Sequence, residues 1–281
     1  TKEIAKKLPM RMLGRVIGTP DEDAEWLVSR GDSMIANSDP DFTDHVIDKV
    51  DTDEYRFLPF RSPAGKEIYD YGEKQKKLRE DHNMGDVMSM LLQPNKKGDK
   101  LSDLEFKNFF ALMIAAGNDT TRYSMASSIH AIANNPYIFN CLKSAPDDAP
   151  VWDSATEEFL RWASPTIHFR RTATEDYKLH GKQIREGDKV TIWFTSGNYD
   201  ERKFSNPFNL ILERENNNHI AFGQGGPHVC LGMWLARLEV RVVMQELLKR
   251  VSKIEQIAPE KYLRSNFIRG IKNLPVKLTS A

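Results

Sequence analysis

Cys230 closes the segment Ile220-Ala221-Phe222-Gly223-Gln224-Gly225-Gly226-Pro227-His228-Val229-Cys230-Leu231-Gly232, in which three glycines and a proline precede a cysteine where an apolar helix begins. Glycines permit the tight backbone that brings amides close to a sulfur. Those amides, with the positive end of the following helix, favour thiolate over thiol. Such a sulfur could ligate a metal, attack as a nucleophile with His228 as its base, or be a buried thiol beside an ordinary turn. A structural zinc fits poorly, because it needs about four ligands and no second cysteine lies near. The cysteine leads into an apolar helix rather than an evident oxyanion site, which weighs against the nucleophile.

A second place for chemistry is Ala116-Gly117-Asn118-Asp119-Thr120-Thr121, an acid and two hydroxyls inside the apolar run that opens at Phe109. Helix preference and desolvation both favour apolar side chains there. One reading is a polar kink satisfied by water or by Thr120 bonding back to the preceding turn. The other is a gap with groups that bind dioxygen and relay protons to it. Glu158 and Arg161 stand at i and i+3 on one helix face, a spacing that ordinarily gives a solvated ion pair.

The elements that must position these residues are mostly helices. From Lys2 to about Asn134 the apolar spacing is helical, with Trp26, Leu27, Met34 and Ile35 on one segment and Ile68, Tyr71 and Leu78 on another. Gly18-Thr19-Pro20-Asp21, Ser38-Asp39-Pro40-Asp41, Arg61-Ser62-Pro63-Ala64 and Gln93-Pro94-Asn95 divide them. Ser102 with Glu105 forms a capping box ahead of a helix running to Asn134-Asn135-Pro136, apolar nearly all round and therefore expected to be buried. Another helix is expected over Ser154 to Ala163, ended by Ser164-Pro165. Past Pro165 the stretches Tyr177 to Ile184 and Lys189 to Phe194 alternate, joined by Arg185-Glu186-Gly187-Asp188, which predicts a small sheet. A last helix runs from about Leu231 to Val251, apolar at Leu235, Leu238, Val242, Leu247 and Leu248. The fold class is mainly α with a minor β region, and there is no internal repeat.

Composition narrows the function. Forty basic residues balance forty acidic ones in 281, so no global field favours nucleic acid or an anionic membrane. The two cysteines, Cys141 and Cys230, have unlike surroundings, which favours a reducing cytoplasm over a disulfide. No apolar run approaches the roughly 18 residues of a membrane span. The chain opens on Thr1-Lys2-Glu3 without an initiator methionine, so this start is not expected to be the native one.

Phe222-Gly-x-Gly-Gly-x-His-x-Cys-x-Gly232 resembles the haem-ligand loop of cytochrome P450 enzymes, and Ala116 to Thr121 resembles the oxygen-binding motif of that family's long central helix. The resemblance implies the cytochrome P450 fold as a single domain over residues 1–281, lacking the family's usual amino-terminal portion. It makes Cys230 the thiolate ligand of haem b, a sulfur that pushes electron density onto iron. His228 and Arg171 match residues that bind haem propionates, Phe222 the aromatic near the sulfur, and Gly232 the glycine closing the loop. Gly117 is to leave room for dioxygen, while Asp119 and Thr120 relay protons to it. Glu158 and Arg161 resemble the family's Glu-x-x-Arg pair, whose usual third partner is a later arginine where this chain has Asn209. Leu112, Met113, Ala116, Thr166, Ile167, Phe267 and Ile268 would face the substrate.

The implied activity is a monooxygenase that inserts one atom of O2 into a C–H bond of a hydrophobic small molecule. Tyr262 to Phe267 and Gly270-Ile271-Lys272 look most like members acting on sterols or branched lipids. Electrons would come from a ferredoxin served by an NAD(P)H-dependent reductase. A haem-binding or fold-only remnant without turnover is the alternative.

Overall fold

The capping box at Ser102 forms as its spacing predicts. Glu105 Oε2 accepts the Ser102 N–H at 2.8 Å and Ser102 Oγ accepts the Glu105 N–H at 3.3 Å. The computed structural model describes residues 4–80 and 82–281, so Thr1–Glu3, with the expected start at Lys2, and Asp81 lie outside the described residues.

In chain order the elements are α1 (Lys7–Ile17), α2 (Ala24–Ile35), α3 (Pro63–Glu80), α4 (Val87–Leu91), α5 (Asp103–Ala133), α6 (Pro136–Ser144), α7 (Val151–Ala163), β1 (His168–Thr172), β2 (Tyr177–Leu179), β3 (Lys182–Ile184), β4 (Lys189–Trp193), α8 (Phe194–Asn198), α9 (Met233–Arg250), β5 (Val251–Gln256), β6 (Lys261–Tyr262), β7 (Ile271–Asn273) and β8 (Val276–Ser280). The described residues form two compact units, one of residues 4–80, 82–126, Ala258–Ser265 and Ile271–Pro275, the other of Ser127–Ile257, Asn266–Gly270 and Val276–Ala281.

In the first unit α2 packs on α1 and α3 through Met10, Ile17, Leu27, Met34 and Ile68, and α5 adds Phe106, Phe110 and Ile114, all buried. Gly18 ends α1 in the left-handed region at φ 85°, where its N–H reaches Gly14 O, so the turn needs a residue without a Cβ. The Arg79 guanidinium, buried against Asp86 at 2.8 Å, holds the loop after α3. The pair β6–β7 belongs to this unit, with Lys272 reaching Asp39 at 2.7 Å. Leu78, expected on the apolar stripe of α3, is exposed instead: the last turns of that helix carry Lys74, Lys76, Lys77 and Glu80 and present little apolar surface.

In the second unit Trp152, Phe159 and Leu160 of α7 are buried, as are Met244, Leu247 and Leu248 of α9 and Ile138 and Leu142 of α6. The expected small sheet is instead separate two-stranded pairs, four of them among the described residues. Tyr177 to Ile184 folds on itself, because His180 and Gly181 both take positive φ, as a tight two-residue hairpin requires. Lys189–Trp193 pairs instead with β1, His168 opposite Trp193, and β5 pairs with β8. Leu238 and Val242, two of the apolar positions of α9, are exposed with Leu231 and Trp234, forming an apolar stripe on this unit's surface.

Candidate active site

Gly223, Gly225 and Gly226 sit at φ 75°, 67° and 75°, a region that L side chains rarely adopt, so the loop before Cys230 depends on glycine. Ile220 O accepts the Gly223 N–H and Phe222 O accepts the Cys230 N–H, both at 2.9 Å, which closes the loop on itself. Burial pushes the Cys230 thiol up, opposed by the Gly232 amide donating to sulfur and by the charge of Arg237. The amide support expected from the glycine-rich segment is therefore present, but it does not outweigh desolvation. His228 is exposed, and Arg171, in β1, makes no ion pair among the described residues, its Nη1 reaching only Arg170 O at 3.0 Å. Ile167 N donates to Phe267 O at 2.9 Å and Thr166 bridges to Ile268, so the four predicted pocket residues of this unit lie side by side. Thr166 and Ile268 are buried, whereas Ile167 and Phe267 are half-buried.

The motif on α5 belongs to the first unit. Leu112 is 59% exposed and Ala116 and Thr120 follow at one-turn intervals on the same open side, with Met113 half-buried beside them. Thr120 Oγ1 donates to Ala116 O at 2.8 Å, the back-bond of a hydroxyl in a helix. Asp119 and Asn118 turn the other way into the core. Arg122 donates to Asp119 Oδ1 and to Asp32 Oδ1, each at 2.7 Å, Asn118 Nδ2 reaches Asp119 at 3.1 Å, and Lys6 pairs with Asp32 at 3.0 Å. Burial, and next the negative charge of Asp32, raise the Asp119 carboxyl, while Arg122 opposes them. Asp119 Oδ2, Asn118 Oδ1 and Arg122 Nε are buried without a protein partner. Asp32 also lines a cleft of about 500 Å³ with Lys6, Ser33, Asp41, Lys261 and Lys272. A Cβ on Gly117 would come within 2.8 Å of Leu13 Cδ2, so this glycine faces α1 and lets the two helices approach.

The Glu-x-x-Arg pair is far from solvated. Glu158 and Arg161 side chains are 0% exposed, and Glu158 accepts from Arg161 at 2.7 and 2.8 Å. The missing third cation is Arg214, whose Nε reaches Glu158 Oε2 at 2.9 Å. Asn209 contributes its carbonyl, accepting from Arg161 at 3.2 Å and Arg214 at 3.0 Å. The cation that Asn209 lacks is thus supplied by an arginine five positions on, whose one signal in the sequence is its place between Glu213 and Glu215.

A family model described as Cytochrome P450 matches residues 70–277. The chain belongs to the cytochrome P450 family. It is 34% identical over 275 residues to the Mycobacterium tuberculosis methyl-branched lipid omega-hydroxylase, covering 98% of this chain and 61% of that one. It is 30% identical to the steroid C26-monooxygenase of the same species, covering 99% of this chain and 60% of the relative. Among solved structures, a Mycobacterium marinum cytochrome P450 in complex with pseudoionone superposes with TM-score 0.86 at 33% identity, over 97% of this chain and 63% of that one. A Bacillus megaterium cytochrome P450 in complex with testosterone gives 0.80 at 27% identity, over 98% and 71%. The chain spans about three-fifths of the length of the curated relatives it matches.

Cytochrome P450 proteins bind haem b, and the donors here fit it. Among the described residues no group of three or more His, Cys, Asp or Glu is arranged to hold a metal ion. A porphyrin asks the protein for one sulfur where zinc asks for about four ligands, and Cys230 is unpaired by any disulfide. No helix among the described residues is long and apolar enough to cross a membrane.

Proposed function

We propose that this chain acts as a haem-thiolate monooxygenase on a hydrophobic small molecule, a branched lipid or a sterol side chain, with Cys230 as the protein ligand of iron. The observation that carries the reading is the Cys230 loop, a lone sulfur presented by three positive-φ glycines and closed by the Phe222 carbonyl. Haem, when bound, supplies the activation of O2 and its insertion into a C–H bond.

The chain's own residues supply the rest. Arg171 and His228 pair with carboxylates of the cofactor, for which a guanidinium fork is well shaped. Thr120 lends its hydroxyl to protonation by releasing its bond to Ala116 O. Asp119, one residue before that hydroxyl, is the acid that exchanges the proton, and its hydrogen bonds with Asn118 and Arg122 connect it through Asp32 to the cleft at Lys6. Leu112, Met113 and Ala116 in the first unit, and separately Thr166, Ile167, Phe267 and Ile268 in the second, are the residues that face the substrate. The relatives' names support a lipid or steroid substrate. A ferredoxin reduced by an NAD(P)H-dependent reductase is the electron donor, and the protein works in the cytoplasm.

Reduction under carbon monoxide tests the reading. The wild-type chain should take up haem and show a Soret band at the thiolate position, and Cys230→Ser should lose it. A wild-type chain that takes up no haem, or shows the band of a neutral ligand, refutes the proposal in favour of a remnant that keeps only the fold.

A further inference from the structure

α7 places two glutamates in succession, and about 100° of helix rotation separates their directions. Glu158 enters the buried pair with Arg161 and Arg214. Glu157 points to the ligand loop and to α9. Its Oε1 accepts from Arg237 Nε at 2.6 Å and its Oε2 from Arg237 Nη2 at 3.0 Å, a two-pronged contact. The same Oε2 lies 3.0 Å from His219 Nε2. His219 Nδ1 accepts the Ala221 N–H at 3.2 Å, which puts the ring proton on Nε2 and makes it a donor to Glu157.

Both partners of Glu157 bear on Phe222. The Arg237 guanidinium lies 4.7 Å from the centre of the Phe222 ring, and the His219 ring centre is 6.0 Å from it on a tilted plane. Phe222 is the residue whose carbonyl receives the Cys230 N–H. The His219 ring is nearly buried, with 3% of its side chain exposed, so it has little freedom to leave.

We propose that Glu157, His219 and Arg237 form a clamp that fixes Phe222, and through the Phe222 carbonyl fixes the backbone at Cys230, before any cofactor binds. The inference rests on the reading of Cys230 as the haem ligand, but the clamp acts on the protein alone. These three are positioning residues: none of them is needed to touch iron. The planar guanidinium matters because it both grips Glu157 and covers the Phe222 face, which a lysine ammonium does not do.

The test uses the full chain in a Cys141→Ser background. Amide hydrogen exchange at Cys230 and Gly223 is followed without haem in Glu157→Gln, Arg237→Gln and Arg237→Lys. Exchange should speed up about tenfold or more in all three, since the loop opens locally. A control breaks another bridge between α7 and α9: Asp153→Asn removes the carboxylate partner of Arg241, which keeps Asp147 O, and should leave loop exchange within about twofold. In a Phe222→Leu background, Glu157→Gln should add almost nothing, a coupling that general loosening of the two helices does not produce. With haem added, Glu157→Gln should raise the fraction of carbon-monoxide complex with a neutral-thiol spectrum. Unchanged Cys230 exchange in Glu157→Gln and Arg237→Gln, or equal acceleration by Asp153→Asn, overturns the clamp. Failure of the wild-type chain to take up haem counts against the monooxygenase reading alone, because the haem-free exchange still decides the clamp; should Arg237→Gln not fold, Glu157→Gln and His219→Gln decide it.

Discussion

Arg214→Leu is the substitution whose cost the structure fixes best. Arg214 is 3% exposed at its side chain and donates to Glu158 at 2.9 Å, to Ser205 O at 2.7 Å, to Asn206 O at 3.3 Å and to Asn209 O at 3.0 Å. Leucine leaves Ser205 O without a donor, at about 1.5–2 kcal/mol, while Asn206 O keeps the Asn209 N–H and Asn209 O keeps Arg161, and it removes a charge-assisted bond worth about 1.5–3 kcal/mol. Glu158 keeps Arg161, Ile211 N at 2.9 Å and Asn217 Nδ2 at 3.2 Å, so its charge is not abandoned. The expected loss is about 3–5 kcal/mol, read as a Tm roughly 6–15 °C lower by calorimetry or circular dichroism. Arg214→Lys should recover part of it, since one ammonium cannot reach all four acceptors. Glu158→Gln should cost more than either, because it leaves two buried cations facing each other. Arg202→Leu is the control: that side chain is 88% exposed beside Asp200 and should change stability by less than about 0.5 kcal/mol. A loss below about 1 kcal/mol for Arg214→Leu would falsify the view that the triad is a closed network.

Three further expectations follow from the site. Thr120→Ala removes only a back-bond to Ala116 O, so urea unfolding should shift by no more than about 0.5 kcal/mol, while in the haem-loaded, reduced protein electrons should divert to hydrogen peroxide; unchanged coupling of electrons to product sinks the proton role. Glu157 is pushed up by burial, but the bonds from His219 and Arg237 prevail and hold it at about 2 against an ordinary 4.5. The unfolded chain therefore binds the proton first, and this stabilisation is full above about pH 4.5 and is lost as pH falls toward 2. With the carboxylate 30% exposed, about 1–2 kcal/mol is expected in all, so the stability gap between wild type and Glu157→Gln should narrow by somewhat more than half of that from pH 7 to pH 3. Asp32→Asn removes a negative charge that raises Asp119, and the Asp119 carboxyl should titrate lower by carbon-13 NMR; an unmoved titration breaks the proposed link from α5 to the cleft.

The long helix was legible because its capping box and its Asn135-Pro136 stop are local, and both bounds fall within a residue of expectation. The Cys230 loop was legible for the same reason: its requirement for positive φ is written in glycine. Pairing was not. Alternation along Tyr177 to Ile184 marks extended chain but cannot say that His180-Gly181 folds it back, nor that Lys189–Trp193 pairs with β1. The strands β5 and β8 gave no distinct signal, because only Val251 and Ile254 of β5 are buried and the rest reads as polar surface. Arg214 escaped notice because the triad closes through the loop from Ser205 to Asn209, whose carbonyls carry no side-chain information.

Adjacency in sequence misled most at Asp119 and Thr120. The two neighbours read as one functional pair, yet on a helix their directions differ by about 100°. The structure gives Thr120 the open side of α5, with Leu112 and Ala116, and gives Asp119 the core side, with Arg122 and Asp32. A shared role must then pass either around the helix through water or through motion of the helix itself. The polar groups packed beside Asp119, namely Asn118, Arg122 and Asp32, lie on the core side and not on the side of Thr120. The same division explains why the motif tolerates an acid inside an apolar helix. The charge of Asp119 is compensated by Arg122 one turn on and shared with Asp32 and Lys6, so its desolvation is offset within the first unit, and the hydroxyl of Thr120 stays free of that network.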